Sequence, residues 1–212
     1  MRIQGAELLK IWGRTNSVNV KKALWAAEEL GLKYQRIDAG MQYGVVNTPE
    51  YRKMNPMGLV PTIDDEGFVL WESHSIVRYL AARHGAGTLW PAEPRVRAIA
   101  NQWMDWAFSF QAALRPVFWG LIRTPAEKRN PAEIEEGRKK SAELAGMLDA
   151  ALAGKPYIAG NAFSMGDIPA GCHAQVWMRL PIERPRHANL EAWFGRLCAR
   201  PAYKKSVDIP LS

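Results

Sequence analysis

Leu8 to Trp12 is a short apolar run interrupted by one lysine and closed by Gly13. Its length and closure predict a buried strand. From Ser17 onward the period changes. Val20, Ala23, Leu24 and Ala27 recur at helical spacing, and Gly31 stands at the expected C-terminal cap. Lys33 to Ile37 alternates and predicts a second strand, whereas Asp38 to Pro49 holds two glycines, an asparagine and a proline and reads as loop. Thr48-Pro49-Glu50 opens a short helix with proline at its first position. Asn55-Pro56-Met57-Gly58 is a turn. Leu59 to Ile63 predicts a third strand, Asp64 to Gly67 a hairpin turn, and Phe68 to Trp71 a fourth strand. Glu72 to His84 is helical, with Ile76, Val77, Leu80 and Ala81 on one face.

The first part of the chain therefore reads βαβαββα, an order that predicts a mixed sheet with helices on both faces. Gly85 to Pro91 breaks the pattern and reads as a linker. Everything beyond it is helical in character. Helices are predicted over Pro91 to Leu114, ended or kinked by Pro116, over Pro131 to Leu152, over Met165 to Leu180, and over Ala188 to Arg200, where Pro201 stops the last. The expected organisation is an α/β domain over residues 1–85 joined to an all-helical domain over residues 92–212.

Composition narrows the classes. With 212 residues, 48% hydrophobic and 23% charged, the chain is long and apolar enough to bury a core, which excludes disordered and low-complexity classes. No window approaches the roughly 18 apolar residues of a membrane span, and Met1 to Lys10 holds no apolar run long enough for a signal peptide, so the expectation is a cytoplasmic chain with no membrane partner. Cys172 and Cys198 are far apart and in no paired motif, which excludes a disulfide framework and leaves them as buried apolar fillers. The net charge of +7 comes from scattered basic residues without a basic, aromatic-interleaved stripe, so no nucleic-acid partner is expected.

The chemistry begins with exclusions. There is no glycine-rich phosphate loop and no dinucleotide fingerprint, so no nucleotide is expected. His74, His84, His173 and His187 are dispersed, so no metal is expected either. Ser164 with Asp167 three residues on fits a capping box with the shorter acid, and Phe163 with Ile168 a hydrophobic staple. The start of the first long helix is unusual. Thr15, Asn16, Ser17 and Asn19 gather hydroxyls and amides there, while Lys21 and Lys22 oppose the helix dipole at one end and Glu28 and Glu29 oppose it at the other. Such a pole suits an anion, including a thiolate. The plain alternative is an N-cap serine followed by solvated lysines. Val60-Pro61 is an X-Pro bond that either isomer satisfies. Glu72-Ser73 opens a helix directly after a strand, where it either grips a carboxylate or serves as an ordinary cap.

In their order these elements resemble the cytosolic glutathione transferase superfamily, in particular its bacterial theta- and nu-like, serine-type members. Asn55-Pro56-Met57-Gly58-Leu59-Val60-Pro61-Thr62 is similar to the family's Asn-Pro…Val/Ile-Pro segment, and Leu70 to Leu80 to its Glu-Ser…Ile…Tyr-Leu segment. Phe163 to Ile168 resembles the family's capping motif, and Arg200-Pro201-Ala202-Tyr203 its usual ending. The resemblance implies a thioredoxin-like N-terminal domain, an all-helical C-terminal domain and a homodimer. It implies glutathione as co-substrate and a cis Val60-Pro61 bond that pairs its backbone with the cysteinyl part. Glu72 and Ser73 would hold the γ-glutamyl end. Ser17 falls where serine-type classes place the hydroxyl facing the thiol, and Asn19 where some nu-like members place an asparagine on the thiolate; Thr15 and Asn16 rival Ser17. Gly58 and Leu59 stand where several classes have a basic residue for the glycyl carboxylate, with Lys53 or Arg52 as substitutes. The corresponding helix implies an electrophile pocket for a hydrophobic small molecule at Trp103, Trp106, Phe110 and Trp119, with plain core packing the alternative for about half of the aromatics on this helix. The expected activity is conjugation of glutathione to hydrophobic electrophiles, in a detoxifying role. The alternatives are glutathione-dependent disulfide reduction and non-catalytic ligand binding on the same fold.

Overall fold

The computed structural model describes residues 8–212, so the first seven positions of the expected 1–85 unit, and most of the segment read for a leader, lie outside the described residues. Strands β1 (Leu9–Trp12), β2 (Tyr34–Ile37), β3 (Thr62–Asp65) and β4 (Phe68–Trp71) form one sheet in the order β2-β1-β3-β4. β1 and β2 run parallel, while β3 is antiparallel to both β1 and β4. The helices between and after them are α1 (Val18–Glu29), α2 (Pro49–Met54) and α3 (Ser73–His84). Together they are the thioredoxin-like arrangement.

Alternation along the strands sorts the two faces. Leu9, Ile11 and Ile63 are buried with Val20 and Ala27 of α1 and Ile76 and Leu80 of α3 in one core. Thr62 points the other way, and there Tyr51 of α2 reaches it, the two hydroxyl oxygens 2.8 Å apart. Helices thus cover both faces. Two boundaries differ from expectation. β3 begins at Thr62 rather than Leu59, because the chain turns at Gly58 (φ +62) and passes through a cis Val60–Pro61 bond before it can pair with β1. The hairpin turn is only Glu66-Gly67, both with positive φ, and Asp64 Oδ1 accepts the Gly67 N–H at 2.7 Å.

Beyond the sheet come α4 (Pro94–Phe118), α5 (Pro131–Ala151), α6 (Asp167–Arg179), α7 (Ala188–Ala199) and α8 (Pro201–Ser206). α4 runs through Pro116 instead of ending before it, and continues as a π-helical turn over Trp119–Arg123. Pro116 sits in the last turn and its ring lies against Gly137 of α5, so one lost backbone bond is tolerated near the helix end. Pro201 does not only stop a helix; it occupies the first position of α8, which the sequence reading missed.

α1 is the hinge of the architecture. It packs on β1 and α3 on one side and on α6 and α8 on the other. Every residue from Val20 to Ala27 is buried in consequence, including Lys21 and Lys22. Trp25 meets Tyr203 of α8 edge-on at 5.1 Å between ring centres. The awkward acids at its C-terminus have partners: Glu29 takes a two-pronged ion pair from Arg200 at 2.6 Å, and Glu28 pairs with Lys205 at 2.6 Å. At the start of α6 Asp167 reaches back to Ser164 as the capping reading expects, while the Ser164 hydroxyl accepts the Gly166 N–H at 3.3 Å rather than that of Asp167. Asp167 Oδ2 accepts the Ser164 N–H at 2.9 Å, and Oδ1 accepts from Ile158 N and Trp193 Nε1. Phe163 makes its ring contacts with Trp25 and Tyr157.

Candidate active site at the amino end of the first helix

β1 ends at Gly13, whose φ of +155 and whose missing Cβ, which would lie 2.3 Å from Val20 Cγ2, let the chain turn tightly over α1. The loop that follows delivers Ser17 to the N-cap of α1. A serine there ordinarily accepts a hydrogen bond from the first turn. Ser17 does not: its hydroxyl makes no capping bond, and the residue is 8% exposed, at the wall of a cavity of about 360 Å³. Asn16, Val18 and Asn19 line the same wall. The hydroxyl is therefore available to a ligand.

Asn19 is held from behind. Its Oδ1 accepts from Lys22 Nζ at 3.0 Å and from Ser73 Oγ at 3.5 Å. An ammonium only donates, so the amide oxygen must face Lys22, and the amide nitrogen is the group left for the cavity. The solvated-lysine reading of this helix start is thereby corrected. Lys22 is fully buried, donates also to His74 Nε2 at 2.9 Å, and has its pKa lowered to about 8, chiefly by burial. Lys21 is likewise lowered to about 8 by burial and donates to Gln175 Oε1 at 2.8 Å. The two were misplaced because their cover comes from α3, α6 and α8, far along the chain. His74 is pushed down to about 2 by burial and by Lys22 and Arg78, so its ring is neutral.

The Glu72-Ser73 turn is brought to Asn19 by the Ser73 bond. Glu72 holds a φ of +72 with its carboxylate making no cap bond, and α3 starts one residue later than expected. A non-glycine residue in that conformation persists only where its surroundings impose it. Val60 lies outside the sheet ladder, on the cis bond, and flanks Gly40 together with the Arg14 guanidinium.

Three of the expected pocket residues are placed elsewhere. Trp103, Trp106 and Phe110 do not line the cavity; they form an aromatic row inside the helical layer, with ring centres 4.9 and 5.3 Å apart, ending on Trp177. Trp119 does line it. The reason is helical phase. The core-facing stripe of α4 runs through 103, 107 and 110, whereas the stripe about one residue round, at Gln111, Leu114, Arg115 and Phe118, faces the cavity. Lys53 is exposed and outside the cavity. Arg52 instead lays its guanidinium where a Gly58 side chain would stand, donating to Pro56 O and Asn47 Oδ1.

The sequence reading also missed Arg14, Arg115, Arg123 and His173, all of which line the cavity. The spacing of Gln111, Arg115 and Phe118 was a usable sign; nothing local pointed to Arg14 or His173. Cys172 is fully buried, its thiol pushed up to about 12 by burial. Among the described residues, no cluster of His, Cys, Asp or Glu is arranged to hold a metal, and no helix is long and apolar enough to cross a membrane.

Comparison with known proteins places this geometry. Residues 7–82 match the family described as glutathione S-transferase, N-terminal domain, and residues 106–201 its C-terminal domain. The chain is 41% identical over 208 residues to glutathione S-transferase GstB of Escherichia coli, covering 97% of this chain and all of that one. The theta class glutathione S-transferase of Xanthomonas axonopodis pv. citri, solved with glutathione bound, superposes with a TM-score of 0.93 at 48% identity, over 96% of this chain and 99% of that one. Bombyx mori BmGSTD1, a glutathione transferase, gives a TM-score of 0.84 at 28% identity, over 95% and 93% of the two chains. With both halves matched and near full-length identity to such proteins, the chain belongs to the glutathione S-transferase family.

Proposed function

We propose that the chain binds glutathione with its sulfur between the Ser17 hydroxyl and the Asn19 amide, and transfers the thiolate to a hydrophobic electrophile in the adjoining cavity. The Val60 backbone takes the cysteinyl part, and Glu72 with Ser73 takes the γ-glutamyl end. Residues 1–85 supply the glutathione side and residues 92–212 the electrophile side. Of the expected electrophile residues, Trp119 is retained, with Phe118 and Leu114 beside it. We further propose a cytoplasmic homodimer with a detoxifying role.

The observation that carries this reading is the uncommitted Ser17 hydroxyl beside an asparagine amide whose orientation is set by Lys22. A free thiol titrates near ~8.5, and only the thiolate attacks. Lowering that value by about two units needs ~2.7 kcal/mol of preference for the anion. A hydrogen bond to a charged group contributes ~1.5–3 kcal/mol, so two donors at a largely buried site are sufficient. The test is an ultraviolet difference titration of bound glutathione in the unaltered protein and in Ser17→Ala. A thiol pKa well below the free value that returns toward it in the variant supports the reading; an unmoved pKa in the unaltered protein overturns it.

A second reading, glutathione-dependent disulfide reduction, draws on Asn19. An amide donor with no cysteine at the cavity wall suits a thiolate that attacks a disulfide directly. Turnover of a small disulfide substrate exceeding that of aryl halides would favour it.

A further inference from the structure

The cavity is charged in a one-sided way. Arg14, Arg115 and Arg123 line it, and none of its lining residues is an aspartate or glutamate. Arg115, exposed at the mouth of the cavity, makes no hydrogen bond or ion pair among the described residues. Arg123 donates from Nη2 to Ser212 O at 2.5 Å, yet its Nε is buried without a partner. The Nε of Arg14 is buried without a partner as well, and burial together with the nearby Arg123 lowers its pKa. His173 adds a third such atom: the residue is 2% exposed, lines the cavity, and its Nε2 has no acceptor or donor.

Buried polar atoms almost always have partners, and Arg14 and Arg123 lie close enough to repel each other with no aspartate or glutamate in the cavity lining. Orphaned nitrogens on both sides of one cavity, Arg14 on the loop and Arg123 and His173 on the helices, point to the ligand as their missing partner. The amide oxygens of Asn16 and Gln111 are also buried there without partners, and the apolar part of the lining is Phe118, Trp119, Leu114 and Val176. Resting on the transferase reading above, we infer that the electrophile is an apolar or aromatic molecule carrying an anionic group, a carboxylate or sulfonate, which Arg115 and Arg123 grip while Phe118 and Trp119 hold its body. Arginine suits this role because its planar fork matches two oxygens of one anion. Arg115 and Arg123 lie one and about three turns beyond Gln111, on the helical side of the cavity, facing the Ser17 loop across it.

A pair of nearly isosteric aryl chlorides separates charge from shape: 4-chloro-3,5-dinitrobenzoate and 4-chloro-3,5-dinitrobenzamide. With either, the glutathione thiolate adds at the ring carbon bearing chlorine, the carbon–sulfur bond forms, and chloride leaves with the bonding pair. Each kcat/KM is divided by the uncatalysed rate constant for the same compound. The unaltered protein is expected to favour the benzoate by roughly tenfold or more, the worth of one charge-assisted hydrogen bond, and Arg115→Gln and Arg123→Gln are each expected to bring the ratio toward one. A ratio near one in the unaltered protein, or one retained in both variants, overturns the inference. So does a rise in the KM for glutathione with equal slowing of both electrophiles, since the guanidiniums would then serve glutathione. Quenching of tryptophan fluorescence by unreactive 3,5-dinitrobenzoate and 3,5-dinitrobenzamide, with S-methylglutathione present, reads the same preference without turnover. Failure to conjugate either chloride would overturn the transferase reading, while the binding ratio would still decide this one.

Discussion

Lys22 and Asn19 lie one turn apart on α1, and the Lys22 ammonium holds the Asn19 amide oxygen at 3.0 Å, turning the amide nitrogen toward the cavity. A buried lysine is thus spent on orienting a neutral side chain, with His74 as its other partner.

If that orientation matters, Lys22→Met raises the pKa of bound glutathione by about one unit, equivalent to ~1.4 kcal/mol. Asn19→Ala is expected to do at least as much. The same Lys22→Met variant should unfold at an equal or higher urea concentration, because an apolar chain of similar length replaces a buried charge. A thiol pKa that stays put in Lys22→Met would remove the positioning role.

The buried lysines also set a pH dependence. Their folded pKa values, about 8, lie below the 10.5 of the unfolded chain. Below pH 8 both states hold the proton and the cost of burying charge is fully present. Above it the folded chain releases protons first, so the unfolded state binds more and stability rises with pH, by up to ~1.4 kcal/mol per unit for each lysine. The Cys172 thiol, raised from 9.0 to about 12, acts in the opposite sense above pH 9. Urea midpoints between pH 8 and 9 should therefore climb, and climb less in Lys22→Met; a flat or falling profile would contradict the assignment.

Asp167 ties three chain segments together through Ile158 N, Ser164 N and Trp193 Nε1. Asp167→Ala leaves those buried donors unpaired, and a loss of ~3–5 kcal/mol in unfolding free energy is expected. Chemical denaturation with glutathione absent measures it directly. A loss under ~1 kcal/mol would mean that the site relaxes around the vacancy.

α1 and α6 meet at Gly171. A Cβ there would stand 2.7 Å from Leu197 Cδ1 and 2.9 Å from Trp25 Cζ3. Gly171→Ala is expected to destabilise by ~1–3 kcal/mol through overpacking, despite the better helix propensity of alanine. A stabilised variant would show that the two layers are free to separate.

What the sequence determined by itself was whatever depends on neighbours in the chain. Helical and strand periods, Pro49 and Pro131 at helix starts, Gly31 and Gly67 at turns, and the Ser164–Asp167 cap are all short-range, and each was legible. Ser17, Asn19, Val60, Pro61, Glu72 and Ser73 each sit at an element boundary, where local rules alone left an ordinary cap or turn as the alternative, and the resemblance of the surrounding motifs singled them out. The tertiary structure alone decided what depends on a second layer. Lys21 and Lys22 read as solvated until α3, α6 and α8 cover α1, because burial is a property of the partner surface and not of the residue. The aromatic row of α4 read as a pocket because a helix face is apolar whether it meets a ligand or a neighbouring helix; only the phase of packing turned Trp103, Trp106 and Phe110 inward and gave the cavity Arg115 and Phe118. The convergence of Arg14 and Arg123 is decided the same way, since residues so far apart in sequence are brought to one cavity only by the packing of the helices against the sheet.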